Sequence, residues 1–217
     1  MELKNKRIAF MGDSITAGHG VADIQDVYWN LIGRQTGAQV FGYGISGTRI
    51  AAQRHRIEPI DQLHYLTRVD DMIPDVDIVV IFGGTNDFGH GDAPLGTISD
   101  RQEDTFYGAF HLLIEKLILR YPDAQIVLMT PLHRLGEEDV LRNDRGLRRA
   151  CPLIRYVEAI REIGQYYGIT VVDLFATCPI QPAVELLREK YMPDGLHPNE
   201  AGHILLARCL LRTLESL

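Results

Sequence analysis
Four short stretches of this 217-residue chain carry groups that could do chemistry together. They are GDSIT (12–16), GISG (44–47), GGTND (83–87) and DGLHP (194–198). A serine hydroxyl is a poor nucleophile until a neighbouring base takes its proton. Ser14 is the candidate nucleophile and His197 the candidate base, because an imidazole titrating near about 6.5 is mostly neutral at neutral pH. Asp194, three residues before His197, can accept the Nδ1 proton, fix the tautomer and support the imidazolium as it forms. An oxyanion needs donors placed in advance. Asn86 offers a side-chain N–H for that purpose, and Gly47 and Ser14 offer backbone N–H groups. These are the parts of an acyl-transfer site: Ser14, Asp194, His197, Gly47 and Asn86.

One of these stretches also fits a competing pattern. GYGISG, residues 42–47, spells G-x-G-x-x-G, the glycine fingerprint of a dinucleotide-binding turn. In that fold the glycines follow the first strand, and an acidic residue ends the second. Here they follow the second strand-like run, and the segment some twenty residues on, IDQLHYLTRVDD (60–71), reads as helical. Gly47 therefore reads better as an oxyanion donor, because a glycine leaves room for a tetrahedral intermediate to approach its amide. No cofactor and no metal are expected.

The elements that must position these groups alternate along the chain. Continuous apolar runs at 7–11, 39–43, 77–82, 125–129 and 169–174 suit strands buried on both faces of a parallel sheet. Helical spacing joins Phe106, Phe110, Leu113, Leu117 and Tyr121, with Pro122 ending the run. It recurs over 153–167, closed by Gly168, and over 199–216, with Asn199 as N-cap and Ile204, Ala207, Leu211 and Leu214 inward. Five strands joined by helices predict an α/β fold, a three-layer α/β/α sandwich, in one domain spanning 1–217. In such a sheet the loops after the strands gather at one edge, where ligands bind.

The four blocks, in this order, resemble those of the GDSL or SGNH hydrolases, named for catalytic Ser, Gly, Asn and His. GDSIT differs from the family name only by Ile15. The resemblance covers residue 7 to the C-terminus. It implies a flavodoxin-like five-stranded parallel sheet of order 2-1-3-4-5, the SGNH hydrolase fold. It also implies ester hydrolysis through an acyl-enzyme on Ser14, with Ser14, Gly47 and Asn86 as the oxyanion hole. A small-molecule ester is the expected substrate: a short acyl chain, acetyl among them, on a carbohydrate or similar alcohol. A lysophospholipase or thioesterase could use the same residues. A non-catalytic flavodoxin-like binder of flavin or phosphate at GDSITAGHG (12–20) is the alternative from another class, against which Asp13 would repel a phosphate.

Composition narrows the remainder. Apolar residues make up 46% and charged residues 24%, an ordinary globular mixture. A net charge of −7 gives no electrostatic reason to expect nucleic acid. Cys151, Cys178 and Cys209 are odd in number and far apart, which suits a reducing compartment rather than a disulfide or zinc framework. No apolar stretch reaches the roughly 18 residues that span a bilayer, and the N-terminus lacks a secretory pattern, so a soluble cytoplasmic protein is expected. Oligomeric state is not legible. Asp13 and Asp87 read as hydrogen-bonding loop backbone rather than as catalytic acids. Most of the histidines outside the blocks read as surface or loop residues, with His90 a candidate pocket wall. Tyr28 and Trp29 read as core or pocket wall. Arg142, Arg145, Arg148 and Arg149 lie in a long polar connection, 131–152, and read as a solvated face or subunit contact rather than as an anionic-substrate clamp.

Overall fold
The computed structural model of the chain describes residues 1–140 and 151–217; the arginine-rich stretch 142–149 lies outside the described residues. Strands β1 (Arg7–Gly12), β2 (Gln39–Gly44), β3 (Ile78–Phe82), β4 (Gln125–Met129) and β5 (Thr170–Val172) form a parallel sheet in the order β2-β1-β3-β4-β5. In the register of β1, Ile8 faces Val40 of β2 on one side and Ile78 of β3 on the other. The helices of the described residues are α1 (Ser14–Ala17), α2 (Tyr28–Thr36), α3 (Tyr65–Arg68), α4 (Thr85–Gly89), α5 (Phe106–Arg120), α6 (Leu153–Tyr167), α7 (Leu174–Thr177), α8 (Glu185–Tyr191) and α9 (Glu200–Ser216).

The continuous apolar runs divide by strand alternation between two cores. Ile8, Phe10, Ile78 and Val80 pack with Tyr28 and Ile32 of α2 and with Leu206, Leu210 and Leu214 of α9. Ala9, Met11, Val79 and Ile81 pack on the other face with Phe106 and Phe110 of α5 and with Tyr156 and Ile160 of α6. That is the three-layer sandwich. Each fully buried Leu, Ile or Phe in it contributes roughly 1.5–3 kcal/mol of transfer free energy.

The helix ends follow the expected chemistry. Thr105 caps α5 by accepting from the Gly108 N–H, Gly168 closes α6 in the left-handed region at φ 65°, and Asn199 caps α9 by accepting from the Gly202 N–H. Two expectations need correction. Ile204 is 49% exposed, because the inward stripe of α9 runs through His203, Leu206, Ala207, Leu210, Leu211 and Leu214. The segment 60–71 is helical only in fragments: Pro59–Gln62 and Val69–Asp71 are 3₁₀ turns flanking the four residues of α3. No helix among the described residues is long and apolar enough to cross a membrane.

Candidate active site
Ser14 is the first residue of α1, two positions after Gly12 ends β1. Asp13 is the N-cap, its carboxylate accepting from the Ile15 N–H at 3.0 Å, so Ser14 is not itself the cap. The helix lasts four residues because Gly18 takes the left-handed conformation at φ 90°. Trp29 and Tyr28 brace it from α2: the indole Nε1 donates to the Thr16 carbonyl at 2.9 Å, and the buried phenol lies 3.0 Å from Thr16 Oγ1. Both aromatic residues thus hold the serine turn.

The serine hydroxyl meets the histidine. Ser14 Oγ is 3.0 Å from His197 Nε2, across 183 positions of sequence. On the far side of the ring, His197 Nδ1 is 2.7 Å from Asp194 Oδ2. With the Nδ1–H tautomer assigned, Nε2 carries the lone pair that faces the hydroxyl. Asp194 Oδ1 also accepts the backbone N–H groups of Leu196 and His197, at 2.9 and 2.7 Å. A D-x-x-H spacing is therefore enough to let one carboxylate hold both the loop and the imidazole. Gly195, at φ 78°, lets that loop turn beneath Leu135, whose N–H donates to the Gly195 carbonyl at 2.8 Å.

The electrostatics favour a neutral base beside an ionised carboxylate. Burial pushes the His197 imidazole below its ordinary value; Asp194 pulls it back, while His19 and Arg134 push it further down. Burial raises the Asp194 carboxyl, but its hydrogen bonds from His197 and Leu196 outweigh burial and hold it below the usual carboxylate value.

Gly47 comes from the loop after β2, and Asn86 is the second residue of α4, beyond β3. The Asn86 Nδ2 donates to the Thr48 carbonyl at 3.1 Å, joining the asparagine block to the glycine block. The Ile45 N–H donates to the Gly12 carbonyl at 3.2 Å, joining that block to the serine turn. Gly47 needs its glycine, with φ at 77°. The other glycines of the fingerprint make room for neighbours. A Cβ on Gly42 would come 2.4 Å from the Trp29 ring, and one on Gly44 would come 2.1 Å from the Ala17 nitrogen. The space beside these two glycines is taken by Trp29 and α1.

Buried charges support these loops. Asp87 accepts from the Ile50 and Ala51 N–H groups at 3.0 and 2.9 Å, and Asp13 caps α1, so both carboxylates serve loop backbone as expected. Arg49 donates to the Gly47 carbonyl at 2.9 Å and pairs with Asp61 at 2.7 Å, with both side chains nearly inaccessible. Arg68 donates to Thr48 Oγ1 at 2.8 Å and to the carbonyls of Gly12 and Tyr43 at the ends of β1 and β2.

Several contributors escaped sequence reasoning. His64, His111 and His203 are buried rather than on the surface. His111 is held between the Tyr167 hydroxyl and the Ile98 carbonyl, at 2.8 and 2.9 Å. His203 stacks on Tyr28 and takes the Tyr28 N–H on Nδ1. Arg134 follows β4, lies over the Phe88 ring and donates to the Thr85 carbonyl at 3.3 Å. His19, exposed on the turn after α1, places its ring 4.1 Å from that of His197. Position after a strand was the available signal for Arg134. None pointed to His19. His90, offered as a pocket wall, is partly buried and donates its backbone N–H to the Asn86 carbonyl at 2.8 Å.

Comparison with known proteins bears on this arrangement directly. The model of the GDSL-like Lipase/Acylhydrolase family matches residues 10–205, which include all four blocks. The chain belongs to the GDSL-like lipase/acylhydrolase family. It is accordingly a hydrolase acting on ester bonds. One crystal structure is 33% identical, covers 100% of this chain and 99% of its own, and superposes with a TM-score of 0.86. A protein from Lactobacillus plantarum is 30% identical, with 98% of each chain covered and a TM-score of 0.82. The acetyl xylan esterase AlAXEase is 22% identical, with 96% of this chain and 99% of its own covered and a TM-score of 0.66, a likeness of fold. No curated protein sequence matches the chain.

Proposed function
We propose that this GDSL-like hydrolase is a serine esterase of short acyl esters, acetyl groups on carbohydrate-like alcohols foremost, working through an acyl-enzyme on Ser14. The observation that carries the reading is the chain of contacts from Ser14 Oγ through His197 to Asp194, at 3.0 and 2.7 Å. His197 Nε2 takes the hydroxyl proton as Oγ attacks the ester carbonyl. The oxyanion that forms is received by the N–H groups of Ser14, Gly47 and the Asn86 side chain. Collapse breaks the bond to the alcohol, which leaves with the proton from His197. Water then repeats the sequence on the acyl-enzyme, its proton passing to His197 and returning to Ser14 Oγ as the acid departs.

The acetyl xylan esterase of the same fold lends the substrate class. The test is hydrolysis of p-nitrophenyl acetate by the protein and by Ser14→Ala, followed by a panel of p-nitrophenyl esters from acetate to laurate beside acetylated sugars. The expected result is loss of turnover in the variant and rates that fall with chain length. Undiminished turnover by Ser14→Ala would remove the nucleophile, and a preference for laurate would remove the short-acyl assignment.

A further inference from the structure
His19 adjoins the proposed triad and has no part in it. Its ring centroid lies 4.1 Å from that of His197, with the planes inclined by 51°. The turn that carries it is shaped for this approach. Gly18 and Gly20 flank it at φ 90° and 99°. A Cβ on Gly20 would come 2.7 Å from the Pro198 carbonyl and 3.2 Å from the His197 Cβ. Two residues on, the Ala22 N–H donates to Glu200 at 3.2 Å, tying the turn to the start of α9. One ligand-type atom from each of His19, Asp194 and His197 lies within 4.8 Å of the others.

We propose that His19, Asp194 and His197 form an inhibitory binding site for a zinc-like divalent ion. The proposal rests on the triad reading for its consequence, though not for its donor set. Two imidazoles and one carboxylate suit Zn²⁺, leaving the fourth position to water. Ligand atoms about 2.1 Å from a tetrahedral ion stand roughly 3.4 Å apart. The widest separation must therefore close by a little over an ångström. His19 and Asp194 are both exposed, and rotation of the His19 side chain supplies that movement.

The consequence follows from the electron count. A neutral imidazole has one lone pair. An ion that takes the lone pair of His197, at either nitrogen, leaves none to receive the Ser14 proton, and the acyl transfer cannot begin. Binding at Nε2 leaves the protein's own bonds unchanged, and binding at Nδ1 moves the ring proton from Nδ1 to Nε2, so a chelator reverses the effect. The ion is an off-switch and not a participant in catalysis.

The test uses Co²⁺ as a spectroscopic probe on the full chain freed of metals. The ligand-field absorption of bound Co²⁺ is titrated on the wild-type protein, on His19→Asn and on Asp194→Asn, with Zn²⁺ then added to displace the probe. The expected result is a one-to-one complex in the wild type that Zn²⁺ displaces and that each variant weakens at least about tenfold. In parallel, the ratio of p-nitrophenyl acetate hydrolysis with and without Zn²⁺ is measured for wild type and His19→Asn. That ratio should fall in the wild type, recover with EDTA and stay nearer one in the variant. A wild type that gives no Co²⁺ spectrum, or a His19→Asn titration identical to the wild type, overturns the site. The titration reads binding without turnover. Failure of the esterase reading would therefore show in Ser14→Ala, and failure of the metal site would show in the spectrum.

Discussion
Replacing Asp13 by Asn should stabilise the protein, by an amount that grows with pH. Asp13 is 2% exposed, accepts one backbone N–H from Ile15, and lies beside Ser14. Burial raises its pKa from 3.8 to about 7; the Ile15 hydrogen bond and Arg68 oppose the rise, and Asp87 adds to it. The unfolded chain loses this proton near the ordinary value. Between about pH 4 and pH 7 the folded protein therefore holds more protons than the unfolded one, and its stability falls as pH rises through that window. A pKa gap of about 3 corresponds to roughly 4 kcal/mol at the alkaline end, at about 1.4 kcal/mol for each pKa unit. At about 2–4 °C per kcal/mol for a chain of this size, the ceiling is on the order of 10 °C in Tm. Asparagine keeps an oxygen for the Ile15 N–H and carries no charge. The assay is thermal unfolding of both proteins across the range, read as the difference between them. That difference cancels His203, which burial pushes down to about 4 with the opposite sign of pH dependence, and retains from Asp87, which burial raises to about 6, only its coupling to Asp13. The expected difference is near zero at about pH 4, grows through the window and levels off above about pH 7. A difference that stays flat over the whole range would refute the buried-carboxylate reasoning.

Three further outcomes follow from the same geometry. The acid limb of kcat/KM for p-nitrophenyl acetate should have its midpoint below the ordinary histidine value, because burial lowers the pKa of His197 and only its neutral form can act as base; a midpoint above about 6.5 would contradict it. Asn86→Ala should lower kcat by about 10²–10³ with little change in KM, measured by steady-state kinetics, and an intact kcat would clear Asn86 of the oxyanion role. Asp61→Ala removes the charge partner of buried Arg49 and should cost about 3–5 kcal/mol in urea unfolding; a loss under about 1 kcal/mol would show the pair to be dispensable.

Much of the fold was legible because its signals are strong ones. Strands buried on both faces read as unbroken apolar runs, and Gly168 and Asn199 act through local cap chemistry that needs no tertiary contact. The strand order was not in those runs; it came with the resemblance carried by the four blocks, and the sheet follows it. The candidate triad was legible for a related reason. Parallel strands deliver their C-terminal loops to one edge, so residues 14 and 197 could be assigned to one place without tracing the chain between them.

What escaped depends on contacts that spacing does not encode. Ile204 sits at a helical position that suits the core, yet the α2–α9 contact turns α9 so that His203 enters instead. A buried histidine such as His203 or His111 is paid for by partners in other elements. His19 lies in a turn with no motif, and its approach to His197 depends on Gly20, whose close packing against Pro198 is visible only in three dimensions. The Arg49–Asp61 pair looks in sequence like two ordinary surface charges.

The central claim is that the Ser14 hydroxyl is the group His197 activates. It is tested most directly by treating the protein with a fluorophosphonate, then locating the adduct by intact mass and peptide mapping. One equivalent bound at Ser14, and lost in His197→Ala, is the predicted result. Labelling at another residue, or equal labelling of Ser14 without the imidazole, would contradict it.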